Sequence, residues 1–202
     1  TFTASVYTPP TIAVTNTQSY YLVGVPQTFD LTINNPTTSK NYNNTVQFDL
    51  IIEGHTVDDI SAATCNFGGQ EYDIKAMMQN ISGGGVHARI VGVDGYFTVP
   101  NSGAALNVPC SITIASKGSY VSHIQMLDII DLDPLYEREV AKTDYTATVY
   151  TKPTINSTNI TGPYQQGVPQ DFIVNVNNVD SMYDPNSFTL HFNFPEGTTL
   201  VY

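Results

Sequence analysis

The chain has little of several residue types, and each shortage excludes a class of protein. It contains no Trp, two Cys and seven Lys and Arg against 18 Asp and Glu, with charged residues at 12% overall. The formal charge of −11 argues against nucleic acid and anionic membrane as partners, because both are bound through Lys and Arg clusters. No apolar run reaches the roughly 18 residues of a spanning helix, so we predict no direct membrane insertion.

Signatures of catalysis are also missing from the sequence. Without a Cys-x-x-Cys spacing, a zinc or redox site is not indicated. The three glycines at 83–85 lack the following Lys and Ser or Thr of a phosphate-binding loop. The four histidines show no ligand spacing; they are His55, His87, His123 and His191. We predict no enzyme activity and no catalytic cofactor, although a carboxylate pair for glycoside hydrolysis stays open as an alternative because it needs no sequence proximity.

A segment near the start of the chain returns 143 residues later. Residues 24–35 and 167–178 both begin Gly-Val-Pro-Gln-x-Phe and end Asn-Asn. Residues 1–35 and 144–178 agree at 18 of 35 positions. Self-similarity at a fixed spacing is the signature of a repeat architecture. We therefore predict domains in tandem with a 143-residue period.

The repeat sets the predicted domain boundaries. A strand over residues 140–150 precedes a Pro-bearing linker, so we interpret it as the last strand of a domain. Residues 1–7 are then the last strand of a preceding repeat, 8–151 a complete repeat, and 152–202 the first part of the next. That part is either a section of a longer array or is completed by strand exchange with a neighbouring chain.

Alternation of apolar and polar residues with a period of two predicts strands with one buried face. It recurs over residues 29–33, 46–52 and 108–114, and turn signals separate the runs. One short helix is predicted over residues 71–81. Many short strands with frequent turns predict an all-β fold, in which each repeat is an Ig-like β-sandwich.

Parts of the repeat resemble a known group of domains. The opening at Gly24-Val-Pro-Gln, the turn at Asn34-Asn35-Pro36 and the strand over 46–54 resemble the start of Ig-like repeats, CARDB-like ones among them, in large prokaryotic surface proteins. Residues 57–115 lie outside the resemblance, as an insertion or as extra strands. The resemblance implies an extracellular, cell-surface stalk, S-layer, adhesin or fibre component.

Cys65 and Cys110 both lie in strand-like runs. In an extracellular protein we predict a disulfide between them, which would contribute about 4 kcal/mol by constraining the unfolded chain. The alternative is two buried free thiols that pack as small hydrophobic side chains.

Four Asn-x-Ser/Thr sequons mark candidate N-glycosylation sites. The acceptor residues are Asn43, Asn80, Asn156 and Asn159. A chain rich in Asn, Ser and Thr also contains such triplets by chance, and the repeat does not preserve them. Asn43 and Asn156, in predicted loops, are the better candidates.

One acidic concentration spans residues 128–144. Asp128, Asp131 and Asp133 are candidate ligands for a structural Ca²⁺ ion, which takes several oxygen ligands. Their spacing fits no EF-hand loop, so a solvated acidic hairpin is the favoured alternative.

These observations favour a non-catalytic structural repeat of an extracellular filament, sheath, S-layer or stalk. Its partners would be copies of itself in a tandem or polymeric array. The alternative is a ligand-binding adhesin domain that uses residues 57–115 to recognise glycans of a host or neighbouring cell. A pocket lined with Tyr, Asp and Asn in that region would favour the adhesin, although the absence of Trp weakens a glycan-binding function.

Overall fold

The computed structural model describes residues 6–18, 20–92, 95–130, 137–158, 167–168 and 173–177. Backbone contacts divide the chain into two compact units, Thr1–Thr151 and Lys152–Tyr202.

The described residues of the first unit form twelve strands, one short helix and a turn of 3-10 helix. The strands are β1 (Thr11–Thr15), β2 (Tyr21–Leu22), β3 (Gln27–Asn34), β4 (Tyr42–Glu53), β5 (Ile60–Phe67), β6 (Gln70–Asp73), β7 (Met78–Asn80), β8 (Gly85–Ile90), β9 (Phe97–Val99), β10 (Ala105–Ile114), β11 (Gly118–Ile129) and β12 (Glu137–Tyr150). The 3-10 turn is Val57–Asp59 and the helix is α1 (Ile74–Met77).

The strands form two sheets that pack face to face. The first sheet has the order β1-β3-β10-β5-β6, and the second has the order β2-β12-β11-β4-β8-β7, with β9 also paired to β4. Ile33 and Val108 of the first sheet and Met126 of the second are fully buried. Between the sheets, Phe48 of β4 stacks on Phe67 of β5 with ring centroids 5.3 Å apart. Period-two alternation thus places one face of each sheet in a shared core.

Two details give the sandwich its Ig-like character. β2 pairs in parallel with the end of β12. Tyr120, at the start of β11, donates a hydrogen bond from its hydroxyl to the carbonyl oxygen of Ser116 at 3.1 Å. A Tyr at this place that bonds to the backbone a few residues upstream is the tyrosine corner of Ig-like sandwiches. The prediction of an all-β, Ig-like β-sandwich is confirmed.

The helix predicted over residues 71–81 is wrong except for one turn. That segment is the strand β6, the four-residue helix α1 and the strand β7. Asp73 caps α1 by accepting a hydrogen bond from the backbone N–H of Ala76 at 3.0 Å. β6 pairs with β5 and β7 pairs with β8, so the flanking residues bond within the two sheets. α1 carries the chain from one sheet to the other.

Residues 57–115 are an integral part of the sandwich. They supply β10, which lies between β3 and β5, and β8, which lies between β4 and β7. The region expected to be an insertion or extra strands therefore contributes strands to both sheets.

The second unit contains an antiparallel pair, β13 (Thr154–Thr158) and β14 (Ile173–Asn177). Its register repeats that of β1 and β3. Thr11 lies opposite Asn34, and 143 residues later Thr154 lies opposite Asn177. The same correspondence holds for all five residue pairs of the two strand pairs, so the sequence copies share their strand pairing.

Candidate functional site

The two cysteines form a disulfide inside the first sheet. Cys65 and Cys110 lie directly opposite each other on β5 and β10, and their Cα atoms are 4.1 Å apart. Both side chains are buried in the core. Because thiols are kept reduced in most cytosols, such a bridge is typical of proteins in oxidising compartments.

Three of the four predicted glycan acceptors lie among the described residues, and all three are exposed. Asn43 and Asn156 lie in β4 and β13, so the prediction that they occupy loops is wrong. The side-chain oxygen of Asn80 accepts a hydrogen bond from the backbone N–H of Val57 at 2.8 Å. Asn159 lies outside the described residues. Glycosylation at these four positions stays a prediction.

Asp128 lies in a buried ion pair. Its side chain is fully buried, and its Oδ2 atom accepts hydrogen bonds from Lys40 Nζ at 2.7 Å and from an Arg138 guanidinium nitrogen at 3.2 Å. Two cations therefore already supply the positive charge that Ca²⁺ would bring to this carboxylate. Asp131 and Asp133 lie outside the described residues, so the calcium site stays a prediction.

A second charged network covers the outer face of the second sheet. Arg89 of β8 makes a bidentate contact with Asp49 of β4, with both N···O distances 3.0 Å. The same guanidinium lies 3.2 Å from Glu137 of β12, and His87 lies 3.1 Å from Asp49. The side-chain hydrogen bond to Asp49 raises the pKa of Arg89. The network joins three strands of the sheet, β4, β8 and β12.

His123 of β11 bridges two carboxylates on the same face. Its Nδ1 atom lies 2.8 Å from Asp144 of β12, and its Nε2 atom lies 3.0 Å from Glu53 of β4. The hydrogen bond with Asp144, followed by that with Glu53, raises the pKa of His123. Because carboxylates occupy both ring nitrogens, the imidazole has no nitrogen left for a metal ion.

Ser116, Asp59 and His55 lie together at the corner between β10 and β11. The Ser116 hydroxyl donates to Asp59 at 2.7 Å, whereas His55 Nδ1 is 3.9 Å from Asp59. A nucleophilic triad needs the imidazole next to the serine; here the carboxylate takes that place. His55 stacks on the Tyr120 ring with centroids 3.7 Å apart. The corner is a structural network.

Two small cavities lie in the first unit. One, of about 40 Å³, lies in the core and is lined mainly by Ile, Leu, Phe and Tyr side chains. The other, of about 130 Å³, is lined by Ile33, Asn35 and residues 99–106, and its lining has neither Tyr nor Asp. Neither cavity is the Tyr-, Asp- and Asn-lined pocket that would favour an adhesin.

Within the described ranges, no three His, Cys, Asp or Glu side chains are grouped so that they could hold a metal ion. In the same part of the chain, no helix has the length and apolar character needed to cross a membrane.

No protein-family model and no curated protein matches the chain. Among solved structures, the chain is similar to AvmM, described as catalysing macrocyclization in alchivemycin A biosynthesis, at 11% identity and a TM-score of 0.47, over 81% of this chain and 100% of AvmM. It is also similar to the C-terminal domain of the Streptococcus agalactiae AgI/II polypeptide BspA, at 10% identity and a TM-score of 0.39, over 74% of this chain and 52% of that one.

A third similar structure is the CARDB domain of a Pyrococcus furiosus protein, solved with di-metal ions. It shares 11% identity and a TM-score of 0.32, over 71% of this chain and 93% of that domain. At these levels of similarity the comparisons assign no activity to the chain. The Ig-like character rests on the parallel pairing of β2 with β12 and on the tyrosine corner.

Sequence reasoning missed three features of the first unit, namely the buried Asp128 pair, the His123 bridge and the Tyr120 corner. Only the corner had a sequence signal, because Tyr120 follows the turn at Lys117-Gly118 and opens an alternating strand. The other two depend on which strands become neighbours, and strand order is not encoded in local alternation.

Proposed function

We propose that the chain is a non-catalytic structural repeat of an extracellular tandem array. The observation that carries the proposal is the register shared by β1–β3 and β13–β14 at an offset of 143 residues. A duplicated sequence whose copies start with the same strand pairing supports a row of equivalent domains.

The charged side chains of the first unit support the same proposal. The carboxylates of Asp49, Asp59 and Asp128 accept hydrogen bonds from neighbouring side chains and tie strands or corners together. Such contacts suit a rigid spacer, whereas a general acid or base needs a group that is exposed to substrate. The disulfide supports an extracellular location.

Electron imaging of the native assembly tests the proposal. We expect a fibre or lattice whose axial repeat corresponds to one 143-residue domain. Dispersed single molecules without an axial repeat would refute the array. Glycan-array binding by the chain would then favour the adhesin alternative, for which neither cavity provides support.

A further inference from the structure

We propose that the free edge of β12, defined as residues 137–147, pairs with the same edge of a second copy of the chain. The result is an antiparallel, two-fold symmetric dimer. The inference names a partner for the structural repeat, and its biological role rests on the proposed function. The pairing itself is argued only from the geometry of β12.

β12 is fourteen residues long and has unequal neighbours on its two sides. On one side it pairs with β11 over nearly its whole length. On the other side, as far as the described residues show, strand pairing is limited to Val149 and Tyr150, which face β2. A strand edge of this kind offers rows of N–H and C=O groups to another strand.

The hydrogen bond to β2 shows which backbone groups point to the free edge. The carbonyl oxygen of Tyr150 accepts from the N–H of Val23 at 2.9 Å, so the polar groups of Tyr150 face away from β11. Along an antiparallel strand, residues alternate between bonding to one neighbour and to the other. The pairing with β11 is regular over residues 141–149. The residues whose groups face the free edge are therefore Lys142, Asp144 and Thr146.

One register of self-pairing matches opposite charges. In it Lys142 lies opposite Asp144 of the second copy, and Asp144 lies opposite Lys142 of that copy. A slide of two residues in one direction opposes the two Asp144 side chains. A slide in the other direction opposes the two Lys142 side chains.

The selected register creates two equivalent ion pairs between Lys142 and Asp144. These side chains are 66% and 70% exposed, so both are available to a partner. Opposite charges directly across an antiparallel pair stabilise it, and like charges destabilise it. Within the chain, Asp144 also contacts His123 and Lys142 lies 3.9 Å from Glu139.

Sedimentation velocity of the full 202-residue chain over a concentration series tests the pairing. We expect a concentration-dependent dimer in the wild type. Lys142→Asp and Asp144→Lys should each raise the dissociation constant of the dimer about tenfold or more. In each variant residues 142 and 144 carry like charges, and they face each other at two equivalent places in the dimer. An equimolar mixture of the two variants should form a heterodimer, and the double variant should again form a homodimer. Asp58→Lys, which makes the same charge change as Asp144→Lys away from β12, should leave the dimer unchanged.

Hydrogen exchange supplies a backbone readout. The amides of Lys142 and Asp144 should exchange more slowly as concentration rises. A chain that stays monomeric at its highest soluble concentration, or single variants that dimerise as strongly as the wild type, would overturn the pairing. Neither result affects the axial repeat of the native assembly, on which the proposed function is tested separately.

Discussion

At the scale of single residues, the Asp128 side chain is fully buried and lies against two cationic groups, those of Lys40 and Arg138. Lys40→Met keeps most of the apolar stem of the side chain and removes its ammonium group, which leaves Asp128 with Arg138 alone. Breaking a buried pair typically costs 3–5 kcal/mol; because the Lys40 side chain is 38% exposed, we expect a loss of about 2–3 kcal/mol in the free energy of unfolding. Urea denaturation measures it.

Lys152→Met is the matched control for that substitution. Lys152 is exposed and lies beyond the first unit, so we expect a change within about 0.5 kcal/mol. Equal losses in the two variants would show that Asp128 does not depend on Lys40.

The contribution of Asp59 to the stability of the fold depends on pH. The backbone N–H of Thr56, followed by the Ser116 hydroxyl, lowers the pKa of Asp59. The unfolded chain therefore binds the proton more readily. The stabilisation is fully present above the ordinary Asp pKa of about 3.9 and is lost as pH falls through the lower folded value. We expect the difference in melting temperature between the wild type and Asp59→Asn to shrink as pH falls below about 4.

Asp58→Asn serves as the control for this measurement, because Asp58 is adjacent and exposed. We expect its melting temperature to follow that of the wild type at every pH. If the gap for Asp59→Asn stays constant between pH 7 and pH 2, the carboxylate is not the source of the pH dependence.

At the scale of elements, alternation of apolar residues was enough to predict the strands β3, β4 and β10. The sequence pattern was misleading over residues 71–81, because Ile74, Met77 and Met78 have helical spacing. The residues on either side of α1 instead form hydrogen bonds with the edges of β5 and β8. Asp128 shows a second limit. Its place in a strand could be read from the sequence, but its cations arrive from Lys40 and Arg138, which only the tertiary fold brings near.

The disulfide joins two neighbouring elements, β5 and β10, across a sequence separation of 45 residues. Replacing both cysteines by Ala should lower the free energy of unfolding by about 2–4 kcal/mol, because the unfolded chain regains the freedom of that loop. Guanidinium denaturation of this variant and of the reduced wild type measures the loss. Both should lose a similar amount; a loss in the variant alone would point to packing of the side chains instead.

At the scale of the whole molecule, we expect residues 8–151 to fold without the rest of the chain. The division at Thr151 leaves both sheets of the first unit whole. Urea unfolding of this fragment should be cooperative, with a midpoint close to that of the first transition of the full chain.

Residues 8–143 form the matched truncation. They lack the second half of β12, which pairs with both β11 and β2, so we expect this fragment to show no cooperative transition. A stable 8–143 fragment would place the domain boundary before the second half of β12.

The bridge between β5 and β10 also has a mechanical consequence. When a domain is pulled open by its ends, the chain between bridged residues cannot lengthen. For 45 residues at about 3.4 Å each, roughly 150 Å of contour length stays locked. If the first unit stands in a row of domains under tension, its unfolding would therefore add less contour length to the array than the unfolding of the same domain without the bridge.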